Sequence, residues 1–183
     1  MAPDQFPTHP LLIGKKLYLR PATAEDIANT HHWFLQENTQ SIFHRPHPLL
    51  SATEAAEAFK RQEKSSDHQE LIMARKDDKM PVGRIRYTDL NSYNRSVELF
   101  VFVDPDERRK GHGSEGIRLL SRYAFRFLDM NRVYGYACET NTHSVKFIEY
   151  LKFRKEGTLR HFFLVDGEYK DGIVASLLRF ELD

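Results

Sequence analysis

The segment Arg108-Arg109-Lys110-Gly111-His112-Gly113 holds the residue types and spacing of this chain that most directly imply chemistry. It lies between an apolar run over residues 97–103 and an amphipathic stretch over 114–128, an order that spells strand, turn and helix start. A helix beginning at such a turn presents backbone N–H groups without acceptors and the positive end of its dipole, which is the geometry that receives phosphate oxygens. Glycine at 111 and 113 leaves room for an anion to approach, and three cations surround the opening. Taken alone, the segment fits a solvated basic turn equally well. The sequence Gly-x-x-x-x-Gly-Lys-Ser/Thr does not occur, and no acidic strand end follows in the setting a dinucleotide fingerprint requires.

Other reactive side chains are less organised. His31-His32-Trp33-Phe34 and Phe43-His44-Arg45-Pro46-His47 concentrate histidines among aromatics, but Pro46 opposes a helical alignment of His44 with His47 and no cysteine or carboxylate set completes a metal site. No metal is expected. The one cysteine, Cys138, excludes an internal disulfide and falls in an apolar stretch, where a buried strand residue is expected rather than a nucleophile.

The elements that must position these groups read as one α+β domain over residues 1–183, with 1–12 as an N-terminal arm. A strand over 16–20 leads to a helix over 24–36 capped by Thr23, and Ser51 with Glu54 forms a capping box opening a helix to about 64. Strands over 71–74, 82–87 and 97–103 suggest an antiparallel meander. The helix after the glycine turn places Ile117, Leu120, Ala124, Phe127 and Leu128 on one stripe, and Arg118, Arg122 and Arg126 on a solvated face. A buried strand over 132–138, a helix capped by Asn141 and a hairpin of 162–165 with 173–180 around Asp166-Gly167 complete the chain.

Composition narrows the function classes. The 183 residues are 40% hydrophobic, enough for a sizeable core, and 27 basic against 26 acidic residues give a net charge of +1. That balance supplies no global attraction to nucleic acid or an anionic membrane, and neither is expected as a partner. The start lacks the basic-then-apolar order of a signal peptide and no apolar run approaches 18 residues, so a cytoplasmic location is expected.

In this order the motifs resemble the GNAT N-acetyltransferases, which move an acetyl group from acetyl-CoA to an amine. Arg108-x-x-Gly111-x-Gly113 is similar to the family's pyrophosphate loop, following a central strand with Glu98 near its start and Asp104-Pro105 at its end. Asn141-Thr142-His143-Ser144 with Tyr150-Leu151-Lys152-Phe153 is similar to the family's next helix. The segments 159–163 and 166–171 resemble the branch holding ribosomal-protein N-terminal and spermidine acetyltransferases.

The resemblance implies a central mixed, mostly antiparallel sheet flanked by helices, with strands that splay to admit the cofactor. It implies that the backbone of Arg108, Arg109, Lys110, Gly111, His112, Gly113 and Ser114 cradles the CoA pyrophosphate. Val101, Phe102 and Val103 would meet the thioester and pantetheine, and Asn141, Ser144 and Lys146 would border the pantetheine arm and adenosine-side phosphates. Trp33, Phe43 and His44 would face the acceptor. Acetyl-CoA is the expected co-substrate, an amine the expected partner, and a homodimer is left open.

Chemistry then assigns the catalytic roles. An amine attacks a thioester only when neutral; near pH 7 a lysine-like amine of pKa about 10.4 is well under 1% neutral, whereas an α-amine near 7.8 is roughly a tenth neutral. A base is therefore needed, and the resemblance points to Glu98, whose other reading is a solvated strand-end carboxylate. The tyrosine that many members place seven residues after the asparagine is Ile148 here, so Ser144 becomes the expected donor to the departing thiolate. Loss of that tyrosine favours a protein or peptide N-terminus as acceptor, with polyamine, amino-sugar or aminoglycoside acetylation as alternatives. A CoA-binding sensor without turnover is the reading from a different class.

Overall fold

Alternating apolar residues build one seven-stranded sheet in the computed structural model, which describes residues 9–35, 50–62 and 67–182. The strands are β1 (Leu17–Pro21), β2 (Gln69–Arg75), β3 (Pro81–Asn91), β4 (Ser96–Val103), β5 (Arg132–Cys138), β6 (Arg154–Val165) and β7 (Glu168–Leu178). Their order across the sheet is β1-β2-β3-β4-β5-β7-β6. Every neighbouring pair is antiparallel except β4 with β5, which are parallel and joined by the crossover helix α3 (His112–Arg126). The mixed α+β architecture and the meander are as the sequence implies.

The two faces of the sheet carry different layers. On one, Leu71, Met73, Ile85, Val97 and Leu99 pack against Ile117, Leu120 and Ala124 of α3 and Leu151 at the end of α4 (Thr142–Tyr150). Leu12 joins this core at 5% exposure, so residues 10–12, read as part of an arm, end in a short 3-10 turn seated on the domain. On the other face, Ile72 and Ala74 meet Ile27 of α1 (Ala24–Thr30) and Ala55 of α2 (Ala52–Gln62).

Local chemistry explains how these elements start and stop. Thr23 and Asp26 form a reciprocal capping box at α1, and both Asp26 carboxylate oxygens also accept from Arg20 at 2.6 and 2.7 Å, which ties β1 to the helix. Burial alone would raise the Asp26 carboxyl, but the bonds from Arg20 and Thr23 together hold it below the usual carboxylate range. The helix expected to reach 36 ends at Thr30 and tightens into a 3-10 turn over His31–Leu35. Thr30 donates its hydroxyl to Asp26 O at 2.7 Å, a local bond that competes with continuation of the α ladder.

Two further readings are corrected. Phe127 lies beyond the end of α3, is 57% exposed and stacks on Tyr123, while Leu119 and Phe125 are buried instead. The last hairpin is far longer than 162–165 with 173–180, because β6 begins at Arg154 on charged, exposed residues that show no alternation. Cys138 is fully buried on β5, as expected.

Candidate active site

Gly111 is the N-cap of α3 with φ +87°, a left-handed conformation that favours glycine, and the nearest non-neighbouring atom to an added Cβ is Lys16 Nζ at 3.9 Å. The space a phosphate oxygen would need is thus open at Gly111. The first helical bond runs from Glu115 N–H to Gly111 O, which leaves the N–H groups of His112, Gly113 and Ser114 without intrahelical acceptors. Gly113 has a different use from the one expected. A Cβ there would meet Val103 Cγ2 at 3.1 Å and Phe147 at 3.5 Å, so its small size lets α3 seat against β4 and α4.

The side chains of the loop serve mainly to hold it. Arg108 Nε donates to Val103 O at 3.4 Å, Lys110 Nζ is 3.0 Å from Glu107, and the buried His112 places Nε2 3.2 Å from the same carboxylate. Arg75 adds a third contact to Glu107 at 3.1 Å. A hydrogen bond from Lys110, with the surrounding positive charges, holds the Glu107 carboxyl below its ordinary range. Lys110 and His112 are therefore anchored to Glu107, and what they offer a phosphate is their backbone.

From the loop a cleft runs between β4 and β5. Their pairing consists of Ser96 with Arg132, Val97 with Val133 and Glu98 with Tyr134, after which both strands continue but part. A cavity of about 90 Å³ occupies the opening, lined by Val101, Gly135, Ser144, Phe147 and Ile148 among others. The edge of β4 that carries Val101, Phe102 and Val103 is bonded to β3 on one side and unpaired with β5 on the other. A strand edge of this kind offers N–H and C=O groups to an extended amide chain. The splay implied by the resemblance is present, and pantetheine amides fit its chemistry.

Ser144 and Ile148 face this cavity together, one turn apart on α4. Asn141 caps that helix by accepting from Ser144 N–H at 3.1 Å, so its carbonyl oxygen is committed to the fold. Lys146 is exposed on the outer side of α4, and Tyr150 is 66% exposed, which removes it as a substitute for the missing tyrosine.

Glu98 sits on the last rung before the strands part, and it is 4% exposed. The alternative of a solvated strand-end carboxylate is overturned: Ser96 and Val97 precede it in β4, and Thr88 and Tyr134 flank it across the sheet. It shares a face with Phe100 and Phe102, since alternate residues of a strand point the same way. Phe102 packs with Trp33 and Phe34, and Trp33 is 4% exposed, which makes it part of the wall's interior. Phe43 and His44, the other expected acceptor residues, lie outside the described residues. Among the described residues no group of three or more His, Cys, Asp or Glu is arranged to hold a metal ion, and no helix is long and apolar enough to cross a membrane.

The α3 start opens on glycine with N–H groups free, and the parallel pair of β4 and β5 parts beyond a buried carboxylate; the acetyltransferase (GNAT) domain family matches residues 16–154. The chain belongs to the GNAT family. This GNAT protein is an acetyl-CoA-dependent N-acetyltransferase. It is 22% identical to spermidine N(1)-acetyltransferase of Escherichia coli (strain K12) over 157 residues, 85% of this chain and 82% of that one. It is 32% identical to the putative ribosomal N-acetyltransferase YdaF of Bacillus subtilis (strain 168) over 99 residues, 54% of each chain. The crystal structure of spermidine N-acetyltransferase from Vibrio cholerae in complex with CoA and spermine superimposes with a TM-score of 0.84 at 22% identity, covering 92% of this chain and 99% of that one. At that identity the likeness shows the GNAT fold.

Several residues of this GNAT site escaped the sequence reading. Tyr134 and Tyr136 line the cleft, and Arg84 and Arg86 lie opposite Phe102 and Phe100 on the face that carries Glu98. The alternation of Arg84 and Arg86 with Gly83, Ile85 and Tyr87 was a visible period-two signal that put both arginines on one face.

Proposed function

We propose that this enzyme acetylates a primary amine by direct transfer, with Glu98 as the base. The observation that carries the reading is the burial of Glu98 at the fork of β4 and β5, between the phosphate-receiving loop and the face covered by α1 and α2. A carboxylate at the fork stands where an amine entering from that face brings its proton within reach.

The remaining roles follow from position. The N–H groups of 109–114 and the dipole of α3 would hold the pyrophosphate, and the open edge of β4 would align the pantetheine. Bound acetyl-CoA supplies an activated thioester. A backbone N–H near Val101 would bear the charge that develops on the carbonyl oxygen, and Ser144 would give a proton to the thiolate, whose weak basicity (thiol pKa about 8.5) makes a modest donor sufficient.

For the acceptor, the spermidine N-acetyltransferase relatives support a polyamine ahead of the protein N-terminus favoured by the sequence. The putative ribosomal N-acetyltransferase relative is what supports the N-terminus. The test is CoA release from acetyl-CoA with N-terminal peptides, polyamines, and amino sugars with aminoglycosides in separate pools. Acceptor-dependent release in one pool supports the transferase reading; acetyl-CoA binding with silence in every pool supports the sensor.

A further inference from the structure

The face on which Glu98 lies sets two arginines, Arg84 and Arg86, beside two carboxylates, Glu70 and Glu98. Arg84 and Arg86 on β3 stand directly across from Phe102 and Phe100 on β4, and Arg86 is the diagonal neighbour of Glu98 because Thr88 pairs with Glu98. Arg84 is consumed by the fold: its side chain is 13% exposed, its Nε donates to Glu70 at 2.8 Å, and its guanidinium stacks on Phe34 at 4.6 Å from the ring centre.

Arg86 is placed differently. It reaches the same Glu70 carboxylate only at 4.0 Å, its side chain stays 34% exposed, and its Nε is buried without a hydrogen-bond partner among the described residues. Its guanidinium lies 4.6 Å above the ring of Phe100, which lines the cleft between β4 and β5. One carboxylate, Glu70, thus contacts two guanidiniums, and the second is held flat on an aromatic ring beside the fork with donors to spare.

We infer that Arg86 reads an anionic group on the acceptor, so that the preferred substrate is a primary amine that also carries a carboxylate or phosphate. The inference rests on the amine-transfer reading and sets an anionic amine against the polyamine that the spermidine N-acetyltransferase relatives support. A rigid guanidinium with free donors forms charge-assisted, two-pronged bonds to carboxylate or phosphate, and it repels a polyamine, whose remaining nitrogens are cationic. The amine would then lie toward Glu98 and the anion toward β3.

The test compares acceptors that differ in that charge, with kcat/KM expressed per neutral amine: alanine with alaninamide, glucosamine 6-phosphate with glucosamine, and spermidine as the polycation. With wild-type enzyme the anionic member of at least one pair should have a kcat/KM about 10- to 100-fold above its neutral partner and above spermidine. Which pair responds separates carboxylate from phosphate. In Arg86→Gln the anionic member should lose at least about 10-fold more kcat/KM than its neutral partner, and Arg86→Lys should recover part of the advantage. Arg86→Glu should raise kcat/KM for spermidine.

Neutral amines or spermidine used as well as the anionic amines by wild-type enzyme would overturn the role of Arg86 and leave the transferase intact. Equal losses for charged and neutral acceptors in folded Arg86→Gln would also overturn it, by making the residue structural. Acetyl-CoA binding with no turnover of any acceptor would remove both readings together.

Discussion

Replacing Gly111 by alanine and by glutamate separates the two properties assigned to the phosphate loop. Both variants place a Cβ at φ +87°, where an L-residue costs about 1–2 kcal/mol, and the nearest atom at 3.9 Å adds no clash. For a chain of this size that strain lowers Tm by about 2–8 °C in either variant. Glutamate adds a carboxylate at the mouth of the helix dipole. At a separation of about 6 Å and an effective dielectric near 20, one carboxylate repels one phosphate charge by about 3 kcal/mol. The exposed position and freedom of the side chain to swing outward roughly halve this figure, while the second phosphate restores it. Gly111→Glu should therefore bind acetyl-CoA about 100-fold more weakly than Gly111→Ala, with matching melting temperatures. Calorimetric titration measures the first and thermal unfolding the second; a ratio of affinities under about 3 in two folded variants would refute the loop assignment.

Glu98→Gln should lower kcat/KM by about 100-fold or more with acetyl-CoA affinity unchanged, and the loss should shrink at alkaline pH as the amine deprotonates unaided; steady-state kinetics across pH reads both. Ser144→Ala should reduce turnover more than CoA affinity, whereas Ile148→Tyr, which puts a phenol into the same cleft wall, should restore turnover to the Ser144→Ala background. Equal loss of turnover and affinity in Ser144→Ala would make that residue a binding group only. Asp26→Asn leaves Arg20 buried beside a neutral amide and should cost about 3–5 kcal/mol in denaturant unfolding at pH 7. The folded carboxyl of Asp26 is depressed, so its stabilisation is complete above the unfolded pKa near 3.9 and fades as pH falls through the lower folded value; unfolding curves between about pH 5 and 2 should show this loss in wild type and not in the variant.

What could be read in advance was whatever a few consecutive residues encode. The Gly111 turn, the Thr23 and Ser51 caps and the Asn141 cap are each complete within four residues, and each stands where expected. The end of α1 was missed because Thr30 diverts its hydroxyl to the ladder, a choice that propensity alone does not reveal. The burial of Glu98 was missed for a different reason: its neighbours are Thr88 and Tyr134, brought beside it by a hairpin and by a parallel crossover. The parting of β4 from β5 came only through the family resemblance, since no residue in either strand announces it. Gly113 carries a packing constraint that its place in the motif did not announce, for a Cβ there would press on Val103 and Phe147.

Three rungs between β4 and β5 hold the middle of a seven-stranded sheet. In effect the protein is two half-sheets in series, β1 to β4 and β5 to β7, and α3 is the beam that spans the joint. Thermal opening is cheapest where the fewest bonds resist it, so breathing of this fold should concentrate along this line, where the proposed site lies. A thioester cofactor lodged there would brace the two halves, and its departure after transfer would release that brace. The same economy of hydrogen bonds that leaves the cleft open would then give the spent thiol its route out.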